Sequence, residues 1–515
     1  MSENTEKESQ QPDIDQNIGG QEKQVAESKT NTHDQKKSFG QGCLFIGVYL
    51  LSLLCLAALV FFASRFYYTG AMPWDGLINQ NSVMSGQDIR RIQQTYQTIQ
   101  SSYIEEVDQD ALVKGAINGM TQAIDDPYSQ FLQGEEASQL ESTIEGSFDG
   151  IGAEIMQKDG KIQVVSPIKD SPAEKAGIQA NDVILAVDGQ SLEGKTAQEA
   201  VALIRGEAGT DVVLTLERQG QSQEVTVTRG EIPIQTVHSE MIAGTDVGRI
   251  QITNFSSPTY DEVVEAVKTL RQEGAKRFVL DVRSNPGGLL PSVLQIANMF
   301  LDDGDTILQI QEKSGQAQKM LASNEDYGDF KVDEPVAVLI DQGSASASEI
   351  LAAALQESVG APIVGSPSFG KGTVQTVIPM DESAELKLTV AKWLTPNGNW
   401  INEKGVQPDE EVKLPDYAQL TLIDTSQRYQ LGQESKEIEN IKAILAALGY
   451  LSDDQVNELY DQTTSQAVEN LQNDAGLEVT GEINSDTANW MIQAIQEKIQ
   501  ANDKPLERAV DILEE

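Results

Sequence analysis

A serine-rich turn and one isolated lysine are the residues of this chain best placed for covalent chemistry. The segment Gly343-Ser344-Ala345-Ser346-Ala347-Ser348-Glu349 follows an apolar strand predicted over 336–340 and runs straight into a helix. Further on, Lys371 stands between Gly370 and Gly372, an odd place for a charge that only aids solubility. An amine held out of water can take the proton of a serine hydroxyl. Other ways of activating a nucleophile are scarce. The chain holds two histidines, His33 in a polar N-terminal stretch and His238, and two cysteines, Cys43 and Cys55, both in an apolar run. A Ser-His-Asp triad, a Cys-His pair and a His-rich metal site are poorly supported, and no metal or cofactor is expected.

The turn has a plainer reading. Ser346-Ala347-Ser348-Glu349 fits a capping box, which would make it simply a well-started helix. Yet a helix start flanked by small residues also offers free N–H groups and a positive dipole end to the oxygen of an attacked carbonyl. Composition alone does not separate Ser346 from Ser344 or Ser348. The stretch 365–371 also satisfies G-x-x-x-x-G-K, but Gly372 stands where a phosphate loop needs a hydroxyl, and a strand follows rather than a helix. Nucleotide binding is discounted.

Residues 231–415 alternate strands and helices and must hold these groups in an α/β unit. A buried-type strand over 278–283 leads to the loop Asn285-Pro286-Gly287-Gly288 and a helix over 289–300. After the serine segment come short strands at 362–365 and 374–379 and a long one at 386–393. Before this unit, residues 146–230 pass through Phe148-Asp149-Gly150-Ile151-Gly152-Ala153, Ser171-Pro172-Ala173-Glu174-Lys175-Ala176-Gly177-Ile178 and Asp182-Val183-Ile184-Leu185-Ala186-Val187-Asp188-Gly189. The order of strands, turns and capped helix there resembles a PDZ domain. Such a domain captures a free C-terminus on the backbone N–H groups of a Gly-rich loop while the peptide adds as a strand. The resemblance places that loop at Gly150, Ile151, Gly152 and Ala153.

Together, GSASASEI, GSPSFGKGTVQ, the NPGG loop, the PDZ unit and GVQPD resemble the carboxyl-terminal processing peptidases, tail-specific serine proteases with a Ser-Lys dyad. The resemblance runs from about residue 85 to 415. It implies a crotonase/ClpP-like α/β protease core with an inserted PDZ domain. It also implies Ser346 as nucleophile, Lys371 as general base and Gln375 as the residue that orients the lysine. On an extended strand, residues 371, 373 and 375 share a face, which agrees with that pairing. An oxyanion hole is implied at the N–H of Ala347 and one from Gly287 or Gly288, with the choice between the glycines left open. Arg205 would help relay tail binding to the dyad; its alternative is a surface cation at a helix end. A free lysine titrates near ~10.4, so base catalysis at neutral pH needs a shift of ~3 units, about 4 kcal/mol, from desolvation.

The rest of the chain concerns location. Residues 1–40 read as a disordered cytoplasmic tail, and 41–66 as a single transmembrane helix followed by a linker over 67–84. The stretch 43–63 carries no charge, and at ~1.5 Å per residue it spans roughly 31 Å, enough for a ~30 Å hydrocarbon core. Lys36 and Lys37 before it keep the N-terminus in the cytoplasm and the catalytic part outside, at a bacterial cell surface. The long polar lead argues against a cleaved signal peptide. A helical region covers 85–145, a linker 416–433 and a tail 501–515. Between the last two, residues 434–500 form a small helical bundle whose pattern LGY, T-x-x-AV-x-x-LQ, G-L-x-V-x-G-x-I resembles a peptidoglycan-binding domain. The formal charge of −43 argues against nucleic acid as a partner. The expected partners are protein or peptide substrates with free C-termini, peptidoglycan, the membrane and a second copy, paired through the helices beside the core. A non-catalytic cell-surface scaffold built from PDZ and wall-binding units is the rival from another class. A hydrolase of the wall itself would need a zinc site, a cysteine or paired acids, and no convincing set is present.

Overall fold

The strand Val336–Ile340 is buried at every position, as expected where parallel neighbours flank a strand and both faces are covered. A computed structural model of the chain describes residues 84–158, 160–313, 315–381 and 384–515. The expected cytoplasmic tail, the apolar run and the linker up to residue 83 lie outside the described residues, as do His33, Cys43 and Cys55. Among the described residues, no helix is long and apolar enough to cross a membrane.

The core sheet runs Val237–Met241, Val247–Ile252, Arg277–Asp281, Val336–Ile340, Ile363–Gly365, Glu410–Glu411. Its first pair is antiparallel and the remaining pairs are parallel. On one face lie the helices Thr259–Glu273, Leu290–Asn298 and Ala347–Ala354, whose Val267, Val293 and Leu351 meet Ile250, Leu280 and Val338. The opposite face presents the alternate strand residues Val247, Val279, Ala337, Leu339 and Val364. Ala509 and Val510 of a last helix, Lys504–Glu514, cover them. Residues 501–515 are therefore not a tail. Leu506, Ala509, Val510 and Leu513 recur at helical spacing and form the buried face.

A second sheet is built on the long strand Ala384–Leu394. Thr373–Asp381 pairs along one edge, while Gln130–Gln133 and Thr306–Glu312 share the other. The register with Thr373–Asp381 skips Val390, so the bulge lies on the partner strand and Thr373 and Gln375 keep a common face. Gln130–Gln133 lies inside the stretch expected to be helical. It is a strand because Lys387 to Ala384 offer it an open edge. In the first of two units, Met1–Val113, the helix Gly86–Ser102 starts on Ser85, whose hydroxyl accepts from the Asp88 N–H. No residue of that helix is buried among the described residues.

The PDZ-like unit has the antiparallel order Ala153–Lys158, Lys161–Pro167, Val183–Val187, Asp211–Arg218, Gln221–Thr228. Ile162, Ile184, Leu214 and Leu216 fill its own core. The chain enters it through Ser147–Gly150 and leaves through Gly230–Pro233, and these two strands pair with each other. A capping box between Thr196 and Glu199 starts the helix Ala197–Ile204. Helices Lys436–Leu448, Gln462–Ala475 and Ser485–Gln500 form the C-terminal bundle, started by Ser435, Asp461 and Asn484. The stretch 416–433, expected as a linker, gives Ile423 and Tyr429 to the core of that bundle.

Candidate active site

Ser346 sits where the strand Val336–Ile340, after a short turn, becomes the helix Ala347–Ala354. Its backbone is at φ +54°, ψ −111°, a region that a residue with a side chain occupies only when its surroundings compel it. The restraints are visible. Asp341 accepts from the Gly343 N–H at 2.9 Å, and the Ser344 hydroxyl donates to the Val282 carbonyl at 2.8 Å. The Ser348 hydroxyl donates to the Asn285 carbonyl at 2.9 Å. Ser344 and Ser348 are fully buried and committed in this way. Of the serines in the run, only Ser346 lines the cavity described below.

Glu349 ties the serine turn to the lysine loop. The capping-box reading found one of its roles, since its Oε2 accepts from the Ser346 N–H at 2.8 Å. The same oxygen accepts from the Lys371 N–H at 2.9 Å, and Oε1 accepts from the Gly370 N–H at 2.7 Å and the Ser368 hydroxyl at 2.5 Å. A fully buried carboxylate with four donors is satisfied in full. From the other side, the buried Trp393 indole donates to the Lys371 carbonyl at 2.8 Å, and Trp400 donates to that of Gly372 at 2.8 Å. The backbone around Lys371 is thus fixed at both its N–H and its carbonyl. Gly370 has φ +91°, and a Cβ there would lie 2.8 Å from the Lys404 nitrogen, so only glycine fits beside the lysine.

The Lys371 side chain is half-buried. Loss of hydration, aided by repulsion from Lys387, lowers its pKa to about 8, although Glu349 and Asp126 pull the other way. Its Nζ lies 5.0 Å from the centre of the Tyr128 ring and makes no hydrogen bond to the Ser346 hydroxyl. Gln375, expected to orient the lysine, instead donates to the hydroxyls of Thr373 at 2.9 Å and Thr389 at 3.3 Å. Tyr128 and Asp126 belong to the turn after the second N-terminal helix, where the sequence showed no sign of chemistry. They arrive because Gln130–Gln133 pairs with Ala384–Leu394 and the Ser129 hydroxyl accepts from the Thr389 N–H at 3.1 Å. Burial acts to raise the Asp126 carboxyl, but hydrogen bonds involving Ser129, Thr389 and the Tyr128 N–H outweigh it and hold it below the ordinary range.

A cavity of about 650 Å³ joins Ser346, Lys371 and Gln375 to Gly287 and Gly288, with Leu140, Ile144, Leu289, Val374 and Trp393 among its apolar walls. Gly287 packs so close to the serine turn that a Cβ would meet the Ser346 Cβ at 2.8 Å. Its N–H donates to the Asn285 side chain at 2.8 Å, and its carbonyl accepts from the Phe255 N–H at 2.9 Å. The N–H of Gly288 has no such intramolecular acceptor among the described residues. His238 lies apart, in a surface hollow with Arg249 and Asp281.

A smaller cavity of about 110 Å³ in the PDZ-like unit is lined by Gly150, Ile151, Gly152, Ala153, Val201 and Arg205. A Cβ on Gly152 would lie 2.5 Å from that of Ser171, so the loop cannot accept a side chain there. Arg205 stacks on Phe148, its guanidinium 5.1 Å from the ring centre. Phe148 lies on the strand by which the chain enters this unit.

Most of the chain resembles known proteins. Residues 246–412 match peptidase family S41, and 163–218 match the PDZ domain. Residues 55–136 match the N-terminal domain of the activating protease CtpB, and 434–491 a putative peptidoglycan binding domain. The chain is 41% identical over 466 residues to the carboxy-terminal processing protease CtpA of Bacillus subtilis, covering 90% of this chain and 98% of that one. It is 38% identical over 426 residues to a probable CtpA-like serine protease of Staphylococcus aureus, covering 83% and 85%. Among solved structures, the photosystem II D1 C-terminal processing protease matches with a TM-score of 0.38 and 31% identity, over 64% of this chain and 88% of that one. The chain belongs to peptidase family S41: it is a carboxy-terminal processing serine protease with a PDZ domain and a C-terminal peptidoglycan-binding domain.

Proposed function

We propose that the protein is a membrane-anchored endopeptidase acting outside the cytoplasmic membrane, which docks the free C-terminus of a protein on its PDZ loop and cleaves through a Ser346–Lys371 dyad. The observation that carries the dyad is Lys371 itself: a half-buried amine brought to about 8, in the same cavity as a serine held in a strained turn. With that value about one molecule in ten has a neutral amine at pH 7, against roughly one in 2,500 for a free lysine.

Neutral Lys371 takes the Ser346 hydroxyl proton as Oγ attacks the carbonyl carbon. The oxyanion that forms is held by the N–H groups of Ala347 and Gly288; Gly288 is favoured over Gly287 because the Gly287 N–H is already given to Asn285. Collapse breaks the C–N bond, and the Lys371 ammonium returns the proton to the leaving amine. Water, with Lys371 again as base, then releases the acyl group from Ser346. Gln375 holds the lysine in the engaged form by exchanging a bond to Thr373 or Thr389 for one to Nζ.

The arrangement described here is a resting one, with Nζ over Tyr128 rather than against Ser346. Tail docking at Gly150, Ile151, Gly152 and Ala153 moves the unit on its two-stranded neck and closes the cavity, and Arg205, stacked on the neck residue Phe148, relays that movement. The charge-free stretch 43–63 supplies the anchor, with the N-terminus in the cytoplasm, and the C-terminal bundle holds peptidoglycan. The apolar stripe of Gly86–Ser102, left uncovered among the described residues, pairs two copies.

The test is cleavage of an unfolded protein by the full-length chain, its Ser346→Ala form and its Lys371→Ala form, with free and amidated substrate tails. Cleavage by the parent alone, faster on free tails, is expected. Equal cleavage by all three forms would reject the dyad, and equal rates on both tails would reject tail docking.

A further inference from the structure

The last helix covers the open face of the core sheet, and its cap residue also grips Arg283, just before the NPGG loop. Asp503 caps that helix, its Oδ1 accepting from the Leu506 N–H at 3.1 Å. Both carboxylate oxygens also receive Arg283: Nη1 donates to Oδ1 at 2.8 Å and Nη2 to Oδ2 at 2.7 Å. This two-pronged pair is nearly out of water, with side-chain exposures of 10% and 14%. With its remaining donors Arg283 holds Asp281, at 2.9 Å from Nε and 2.7 Å from Nη2. Asp281 is fully buried and is also held by Arg249 at 2.7 Å.

Arg283 is the root of the glycine loop. The next residue, Ser284, has φ +57°, and its N–H donates to Asp341 at 2.8 Å. Asn285 follows, its carbonyl accepting from the Ala345 N–H at 3.0 Å and its side-chain oxygen from the Gly287 N–H at 2.8 Å. Each link from Asp503 to Gly287 is therefore either covalent or a short hydrogen bond, and the chain ends against Ser346. An oxyanion donor must be placed to within a few tenths of an ångström, so what grips the root of its loop acts on the transition state. Arg283 is held by Asp281, two residues back at the end of the preceding strand, and by Asp503 from a distant element, and only the second ties the loop root to the last helix.

We propose that Asp503 is a positioning residue for the protease: by fixing Arg283 it sets the loop that presents Gly288 to the oxyanion, so the helix beyond the peptidoglycan-binding domain is a working part of the active site. Since residues 501–502 alone separate it from the helix Ser485–Gln500, that domain is tied directly to the loop. The inference rests on the dyad and oxyanion reading above.

Helix docking and loop support can be separated. Arg508 also anchors this helix, pairing with Glu410 at 2.6 and 2.7 Å, far in sequence from the loop root. In the full-length chain, Asp503→Ala should lower kcat about tenfold with KM for a tail-bearing substrate unchanged within about twofold. Asp503→Asn, which keeps an acceptor and the cap, should recover part of the loss. Arg508→Ala should also lower the melting temperature, by less than Asp503→Ala because its pair is more exposed, and leave kcat at the parent value. The inference fails if Asp503→Ala retains the parent kcat, or if kcat follows melting temperature equally in both variants. A Ser346→Ala control run alongside separates the two levels: if it still cleaves, the dyad reading falls. If it is silent while Asp503→Ala is fully active, only the present inference falls.

Discussion

Lys371 and Lys442 are both drawn out of water, and the partners given to their amines differ. Lys442, in the C-terminal bundle, is fully buried, and its Nζ donates to Asn457 at 3.0 Å, to the Leu459 carbonyl at 3.0 Å and to Asp461 at 3.3 Å. Lys371 is less buried, and its Nζ lies over the face of Tyr128 with no hydrogen-bond acceptor among the described residues. A buried amine supplied with three acceptors is a structural post, whereas one denied them holds its proton less tightly and can serve as a base. Partners, more than depth, distinguish the two roles.

The comparison is tested most severely by removing each amine. Lys371→Met should lower kcat/KM by at least about a thousandfold while stabilising the protein near neutral pH by on the order of 2 kcal/mol after allowance for solvent screening. The sign follows from the folded value of about 8, below the unfolded 10.5: the folded state binds the proton less tightly, so protonation costs stability below pH 8, and the cost fades as pH rises from 8 to 10.5. Lys442→Met should do the reverse, costing about 3 kcal/mol because Asp461 and Asn457 lose their donor, with cleavage of unfolded protein unchanged. Chemical denaturation beside a peptidase assay reads both.

Glu349→Gln comes next in size. An amide NH₂ would face N–H groups that now donate to a carboxylate, and kcat should fall by about ten- to a hundredfold, with tail affinity intact by peptide binding. The pH profile gives smaller effects. The acid limb of kcat/KM should lie near 8, the value for Lys371. Lys387→Gln removes a repulsion and should move that limb upward, by roughly half a unit. Smallest of all, Tyr128→Phe should leave the limb in place. Tyr128→Leu, which keeps the bulk and loses the ring, should move it downward by a few tenths of a unit.

The parts of the site encoded in short contiguous runs were readable before any coordinates. The serine turn, the glycine-bordered lysine, the NPGG loop and the PDZ loop are each encoded in a few neighbouring residues, and the first three line one cavity. What could not be read depends on pairing between distant segments. Tyr128 and Asp126 reach Lys371 only because four residues, Gln130–Gln133, join a strand more than two hundred positions away. Glu349 looked like a cap, and the sequence does not say that its second oxygen would gather the lysine loop. The C-terminal helix was legible in principle, through Leu506, Val510 and Leu513, but so short a stripe has nothing to prefer until a sheet face is known to lie open.

The paired strands Ser147–Gly150 and Gly230–Pro233 have a consequence of another kind. The PDZ-like unit between them starts and finishes at neighbouring points, with opposed α-carbons about 5 Å apart, so the chain joins it to the catalytic body through a ribbon of fixed width. A different small module with adjacent ends could be spliced onto that ribbon without recutting the sheets of the body. Such a junction makes the inserted unit a replaceable cartridge.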